Sequence, residues 1–180
     1  MVKHEHGVWR AVNRSLVAAT AAVFLCALTI TPSAAAGKVV VFNGDVARGT
    51  IIVRTKERRL YFVLGRGQAL RYTVGVGRTG RQWAGNSFIV GKHIRPNWAP
   101  PPEIKRKQPN LPNVIPSGSP ANPMGAAALT LSGGNYAIHG TNAPNSIGRY
   151  VSYGCIRMYN TDIIDLYGRV GVGTPVVVMP

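Results

Sequence analysis

Between residues 38 and 179, short runs of β-branched and aromatic residues alternate with glycine-bearing turns, and helical periodicity is almost absent. That pattern restricts the fold more than any other feature of the chain. Lys38 to Phe42 is a short apolar run, and Thr50-Ile51-Ile52-Val53-Arg54 is rich in β-branched residues. Leu60 to Leu64 and Ala69 to Val74 flank Gly65-Arg66-Gly67, a loop length and composition that predict a β-hairpin. Further strands are expected at Ser87 to Val90, Ala127 to Leu131, Tyr136 to His139 and Pro175 to Met179. Many short strands with tight turns predict a mostly β domain, an antiparallel sandwich or barrel-like structure. One helix is expected, from Thr161 to Tyr167, with Asn160 as N-cap, Asp162 in the first turn and Gly168 at its end.

Composition agrees with a folded core. Of the 180 residues 46% are hydrophobic and only 15% charged, outside the range of disordered chains despite 21 Gly and 13 Pro. The length suits one domain with an appendage and excludes a multidomain machine. Nine of the thirteen prolines lie between Pro96 and Pro123, around Lys105-Arg106-Lys107. So long a stretch without periodicity is usually a functional loop or a linker. Neither flank is large enough to bury a core alone, so residues 96–123 are expected to be an insertion in one domain.

The appendage is at the N-terminus. Lys3, Arg10 and Arg14 precede an apolar run from Leu16 to Ile30, and then come Pro32 and Ala34-Ala35-Ala36. This is the order of a secretory signal peptide, with cleavage expected after Ala36, rather than of a retained membrane anchor. Cys26 lacks the small residues of a lipoprotein site before it and reads as an apolar filler of the leader. The expected organisation is a leader over 1–36 and one domain over 37–180.

The whole chain carries 21 Lys and Arg against 6 Asp and Glu, a net charge of +15, and about +13 remains once the leader is removed. The excess calls for an anionic partner. Nucleic acid is disfavoured, because the basic residues are scattered, no recognition module is visible and export removes the protein from the nucleic-acid pool. An acidic cell wall or anionic envelope fits better, against the plainer reading that the charge only keeps the protein soluble.

Export leaves a single cysteine, Cys155, in a compartment where thiols are a liability. It is either a small buried apolar residue or a retained nucleophile. The nucleophile needs a base, and His139 lies sixteen residues upstream at the end of an expected strand; His93 is the other histidine after Ala36. That spacing allows the chain to loop back and bring the two together. It equally allows an inert thiol and an unrelated surface histidine. Gly154 before the thiol would admit a reacting carbonyl, whose oxyanion the amides of Gly154 and Cys155 would stabilise. Asp162 and Asp165 read as solvated or dipole-compensating helix residues. Trp83, Trp98 and Tyr159 are candidates to line a groove, though such residues are more often core or rim.

His139-Gly140-Thr141, followed by Ser152-Tyr153-Gly154-Cys155-Ile156-Arg157-Met158 and the helix after it, resembles the signature of the L,D-transpeptidase catalytic domain of the YkuD type. Gly49 to Val53, Arg59-Leu60-Tyr61 and Gly75 to Arg78 resemble its opening strands and turn, so the likeness covers nearly all of residues 37–180. The resemblance implies a mostly β, monomeric periplasmic enzyme acting on peptidoglycan stem peptides without metal or organic cofactor. Cys155 is implied as nucleophile, His139 as general base and acid, and the Gly140 carbonyl as the group that orients His139. The acyl group would pass to an amine of another stem, or of an outer-membrane protein. Tyr153, Gly154 and Arg157 fall at oxyanion and substrate-binding positions, Arg157 either gripping a substrate carboxylate or holding its loop. Many members carry histidine where Tyr153 stands; because His139 remains, activity is expected to survive. A carboxypeptidase or endopeptidase on the same bonds, or a non-catalytic wall-binding module, are the alternatives.

Overall fold

The computed structural model describes Met1 and residues 37–180; the expected leader and its Cys26 fall, Met1 apart, outside the described residues. Eleven strands and two α-helices are present among them. In chain order they are β1 (Lys38–Val41), β2 (Ile51–Arg54), β3 (Arg59–Gly65), β4 (Gln68–Thr73), β5 (Val76–Gly77), β6 (Gly85–Ile94) and α1 (Pro102–Lys107). There follow β7 (Ala127–Leu131), β8 (Ala137–His139), β9 (Tyr150–Ser152), β10 (Ile156–Arg157), α2 (Asn160–Arg169) and β11 (Pro175–Met179).

The expected hairpin is β3–β4, closed by Arg66-Gly67 with φ of 53° and 69°. Two consecutive positive φ values give a turn whose twist matches the flanking strands, and the glycine adopts its share without strain. Nine strands form one sheet in the order β1-β4-β3-β2-β11-β6-β7-β8-β10, and β5 pairs with β9 apart from it. β6 is longer than the Ser87–Val90 run suggested because it serves two partners. Its start, Gly85–Phe88, pairs with β11, and from Ile89 onward it pairs with β7, with an irregularity between Ile89 and Gly91. A bulge of this kind bends a strand from one sheet layer toward another.

Both halves of the bent sheet share one core, in which Ile51, Leu60, Ile89, Leu129, Ile138 and Val176 are fully buried. α2 lays Ile163 and Leu166, one helical turn apart, against β7 and β8. The fold is mostly β, as expected, but the pairing is mixed. β11–β2, β10–β8 and β5–β9 are parallel, and alternation of apolar and polar residues carries no sign of strand direction. The Pro-rich stretch also contains a helix, α1, started by Pro102 at its first turn, where the missing N–H costs nothing. No described helix is long and apolar enough to cross a membrane.

Candidate active site

β8 and β10 lie side by side in parallel, with Ile138 opposite Ile156 and His139 opposite Arg157. Parallel neighbours cannot be joined by a tight turn, because the chain must travel back the full strand length. The residues between His139 and Cys155 supply that return through a 3-10 turn at Pro144–Ser146 and β9. The His-to-Cys spacing is therefore a consequence of the parallel register, and it sets Cys155 immediately before β10, beside Ala137 at the start of β8 and two positions from His139 along the strand. His139 and Cys155 line one cavity of about 360 Å³, together with Ser152, Tyr153 and Arg157. Its far wall comes from α1 and from residues 133–136 of the β7–β8 turn.

His139 is buried, at 4% exposure. Its Nδ1 lies 2.6 Å from the Gly140 carbonyl oxygen, which can only accept, so Nδ1 carries the proton and Nε2 is left as the basic nitrogen. Backbone bonds from Gly140 N–H to the Ala127 carbonyl (3.0 Å) and from Met158 N–H to the His139 carbonyl (2.8 Å) fix the strand end. Burial pushes the imidazole pKa down to about 4, the Arg157 cation adds to the effect, and the carbonyls of Gly140 and Pro123 oppose it. The Cys155 thiol is pushed up by burial, while the Ala137 backbone amide and the Arg157 cation pull it back. The resting pair is thus a neutral thiol and a neutral imidazole.

The depressed histidine has a consequence for stability. Unfolded, His139 takes up a proton near pH 6.5, whereas folded it resists down to about 4. The unfolded state then binds more protons between those values, so stability is complete above about 6.5 and falls as the pH drops toward 4. The loss is expected to be on the order of 3 kcal/mol. Thermal denaturation from pH 7.5 to 4 should show it, and His139→Gln, which does not titrate, should flatten that part of the profile. An equally steep profile in the variant would contradict the assignment.

The Gly154 position is built differently from its sequence expectation. Gly154 N–H donates to Ser152 Oγ (3.1 Å), and that hydroxyl donates to the Cys155 carbonyl (2.6 Å), so this amide is committed to the turn rather than offered to an oxyanion. The glycine is required instead by its φ of 122° and by Tyr136, whose ring occupies the place a Cβ would take. Tyr136 is in turn stacked on Trp83 at 4.9 Å, and Trp83 Nε1 donates to the Gly154 carbonyl at 2.9 Å. Trp83 therefore braces the turn before Cys155 from behind. Trp98 lines the cavity, whereas Tyr159 is exposed and does not.

Tyr153 also lines the cavity, its ring under the guanidinium of Arg78 at 4.1 Å, with the Lys107 ammonium at 5.3 Å. Lys107 and Arg81 both pair with Glu103, tying α1 over this side of the cavity. Arg157 exchanges backbone hydrogen bonds with Gly75 (2.9 and 2.8 Å), and its Nε is buried without a hydrogen-bond partner. Asp165 is not merely solvated, because it accepts the Tyr72 hydroxyl at 2.5 Å and a fork from Arg169. Ser152 had no role assigned from sequence, and only its position three residues before the thiol hinted at one. Among the described residues no three His, Cys, Asp or Glu side chains gather to hold a metal ion, and His93 is exposed on β6 away from the cavity.

The family profile of the L,D-transpeptidase catalytic domain (YkuD) matches residues 48–178. The chain is 40% identical over 139 residues to the probable L,D-transpeptidase ErfK/SrfK of Escherichia coli, covering 73% of this chain and 44% of that protein. It is 47% identical over 77 residues to the putative L,D-transpeptidase YkuD of Bacillus licheniformis, 43% of this chain and 41% of that one. The chain thus spans less than half the length of these curated relatives. Among solved structures, the L,D-transpeptidase of Mycobacterium smegmatis superposes with a TM-score of 0.58 at 16% identity, over 73% of this chain and 58% of that one. The catalytic domain of an Enterococcus faecium L,D-transpeptidase acylated by ertapenem gives 0.56 at 19% identity, over 76% of this chain and all of that one.

Proposed function

Because the chain belongs to the YkuD family of L,D-transpeptidase catalytic domains, we propose that it is an exported acyltransferase working on peptidoglycan stem peptides through Cys155. The observation that carries this reading is the single cavity lined by Cys155 and by a buried His139 whose Nδ1 is held by the Gly140 carbonyl. His139 Nε2 takes the thiol proton as the sulfur attacks the carbonyl joining a diamino acid at position three to D-Ala at position four. The C–N bond then breaks, the imidazolium returns the proton to the departing amine, and D-Ala leaves behind a thioester. An acceptor amine attacks the thioester, gives a proton to His139, and releases the cross-linked product and the thiol. The Arg157 cation favours the thiolate within this sequence of steps, and its unpaired Nε fits a substrate carboxylate.

The neutral resting pair fits this order of events. An imidazole that stays unprotonated down to about pH 4 is available as a base throughout the neutral range. The leader over 1–36 would place residues 37–180 in the periplasm, where the basic surface is drawn to the anionic envelope in a salt-dependent way.

Ertapenem tests the nucleophile directly. Intact mass after incubation should rise by one adduct in the wild type and stay unchanged in Cys155→Ser. An adduct that persists in the serine variant, or its absence from an intact thiol, would overturn the reading and favour an inert wall-binding module. Purified tetrapeptide muropeptides then separate transfer from hydrolysis: dimers with loss of D-Ala mark the transferase, and tripeptides alone mark a carboxypeptidase.

A further inference from the structure

Asn160 does not cap α2. The helix begins at Asn160 itself, Tyr159 occupies the N-cap position, and no side chain caps the helix. The Asn160 carboxamide points instead at the loop after β8. Its Oδ1 accepts the Thr141 N–H at 3.1 Å and the Ala126 N–H at 3.0 Å, and its Nδ2 donates to the Thr141 carbonyl at 3.1 Å. The Thr141 N–H and the Gly140 C=O belong to the same planar peptide unit and point in opposite directions across it. Asn160 thus grips one end of the unit whose other end receives His139 Nδ1.

The packing leaves this arrangement little freedom. A Cβ at Gly125 or at Gly140 would overlap Asn160 Oδ1, and one at Gly140 would also come within 2.8 Å of the Ala126 nitrogen. Both glycines are therefore the space into which the carboxamide fits. Rotation of the 140–141 peptide would break two hydrogen bonds at once, the Asn160 Oδ1 bond and the His139 Nδ1 bond. Two N–H groups and one carbonyl need a side chain with both acceptor and donor on one rigid plane, and asparagine supplies both at the required reach.

From this geometry we infer that Asn160 is a positioning residue that fixes the Gly140 carbonyl and, through it, the tautomer and orientation of His139. The inference rests on the proposed role of His139 as base, and its test has an arm that does not depend on that role. After the leader is removed only His93 and His139 remain, so imidazole 15N shifts report the His139 tautomer directly, with His93→Gln for assignment. The wild type should show the proton on Nδ1. Asn160→Ala should show mixed tautomers and acylate with ertapenem about 100-fold more slowly, since a displacement of about 1 Å at a catalytic group has that effect. Asn160→Asp keeps the Oδ1 acceptor for the two amides but sets a carboxylate oxygen against the Thr141 carbonyl in place of the Nδ2 donor, so it should retain more of the Nδ1 tautomer and of the rate than Asn160→Ala while falling short of the wild type.

Asn160 is exposed, so its truncation opens no core cavity; if the alanine variant nevertheless does not fold, Asn160→Ser, too short to reach both amides, takes its place. An unchanged Nδ1 tautomer in a folded Ala or Ser variant overturns the inference, whatever the rate does. If the wild type itself is not acylated, the proposed reaction fails while the tautomer arm still decides the role of Asn160.

Discussion

His139→Ala is expected to slow acylation of Cys155 by about 10³-fold, within the range of roughly 10² to 10⁴ that general acid–base groups contribute. The size follows from the resting state. Burial holds the thiol above its ordinary pKa, so only a small minority is thiolate at neutral pH, and without a base only that fraction can react. Stopped-flow loss of β-lactam absorbance measures the rate, and a thermal melt on the same sample checks that the fold survives. Tyr153→Phe is the companion variant. It keeps the ring that contacts Arg78 and Lys107 and removes only the hydroxyl, so its rate should stay within about threefold of wild type, as one neutral hydrogen bond at most is lost. The reverse pattern, a silent His139 and an essential Tyr153 hydroxyl, would move the base to the turn and overturn the assignment.

Gly154→Ala should be the most destabilising single methyl addition near the site. The residue sits at φ 122°, and a Cβ there would overlap Tyr136 Cε1 and come within 2.9 Å of its Cδ1. Tyr136 cannot swing aside, because it is stacked on Trp83 and Trp83 is hydrogen-bonded back to the Gly154 carbonyl. Backbone strain of about 1–3 kcal/mol and overpacking of about 1–3 kcal/mol combine. A loss of about 3 kcal/mol would lower Tm by roughly 10 °C for a domain of this size. Acylation should fall with it, because relief of the clash displaces the turn that carries Cys155. Gly168→Ala is the control: it lies in α2 with no atom within 4 Å of its Cβ position, and alanine there should be neutral or slightly stabilising. Melting temperatures that leave the two variants within 1 °C of each other would contradict this account of Gly154.

Local physics explains what could be read in advance. The β3–β4 hairpin followed from two apolar runs around Gly65-Arg66-Gly67, because a two-residue turn with positive φ is a short-range event. β2, β7 and β11 likewise kept the limits of their apolar runs to within a residue or so. β5, β9 and β10 have no apolar run to mark them, being strands of two or three residues whose pairing comes from partners distant in sequence. α1 was hidden for the same reason: six residues with none buried carry no apolar stripe to betray them. Asn160 was misread because asparagine before an apolar run looks like a cap, and its hydrogen bonds lie 19 and 34 residues away.

The same division runs through the site. Residue identity alone singled out a lone Cys155, a preceding His139 and a motif dense enough to indicate the family, because nucleophile and base are chemical properties of side chains. Sequence could not say that the spacing between them is the return path of two parallel strands, nor that Gly154 makes room for the Tyr136 ring. Those facts depend on which backbone atoms the fold brings within 3 Å of one another. The protonation states belong there too: desolvation by the fold favours the neutral thiol and the neutral imidazole, with Arg157 reinforcing it at His139 and opposing it at Cys155, and burial is a property of the packed chain, not of any residue in it.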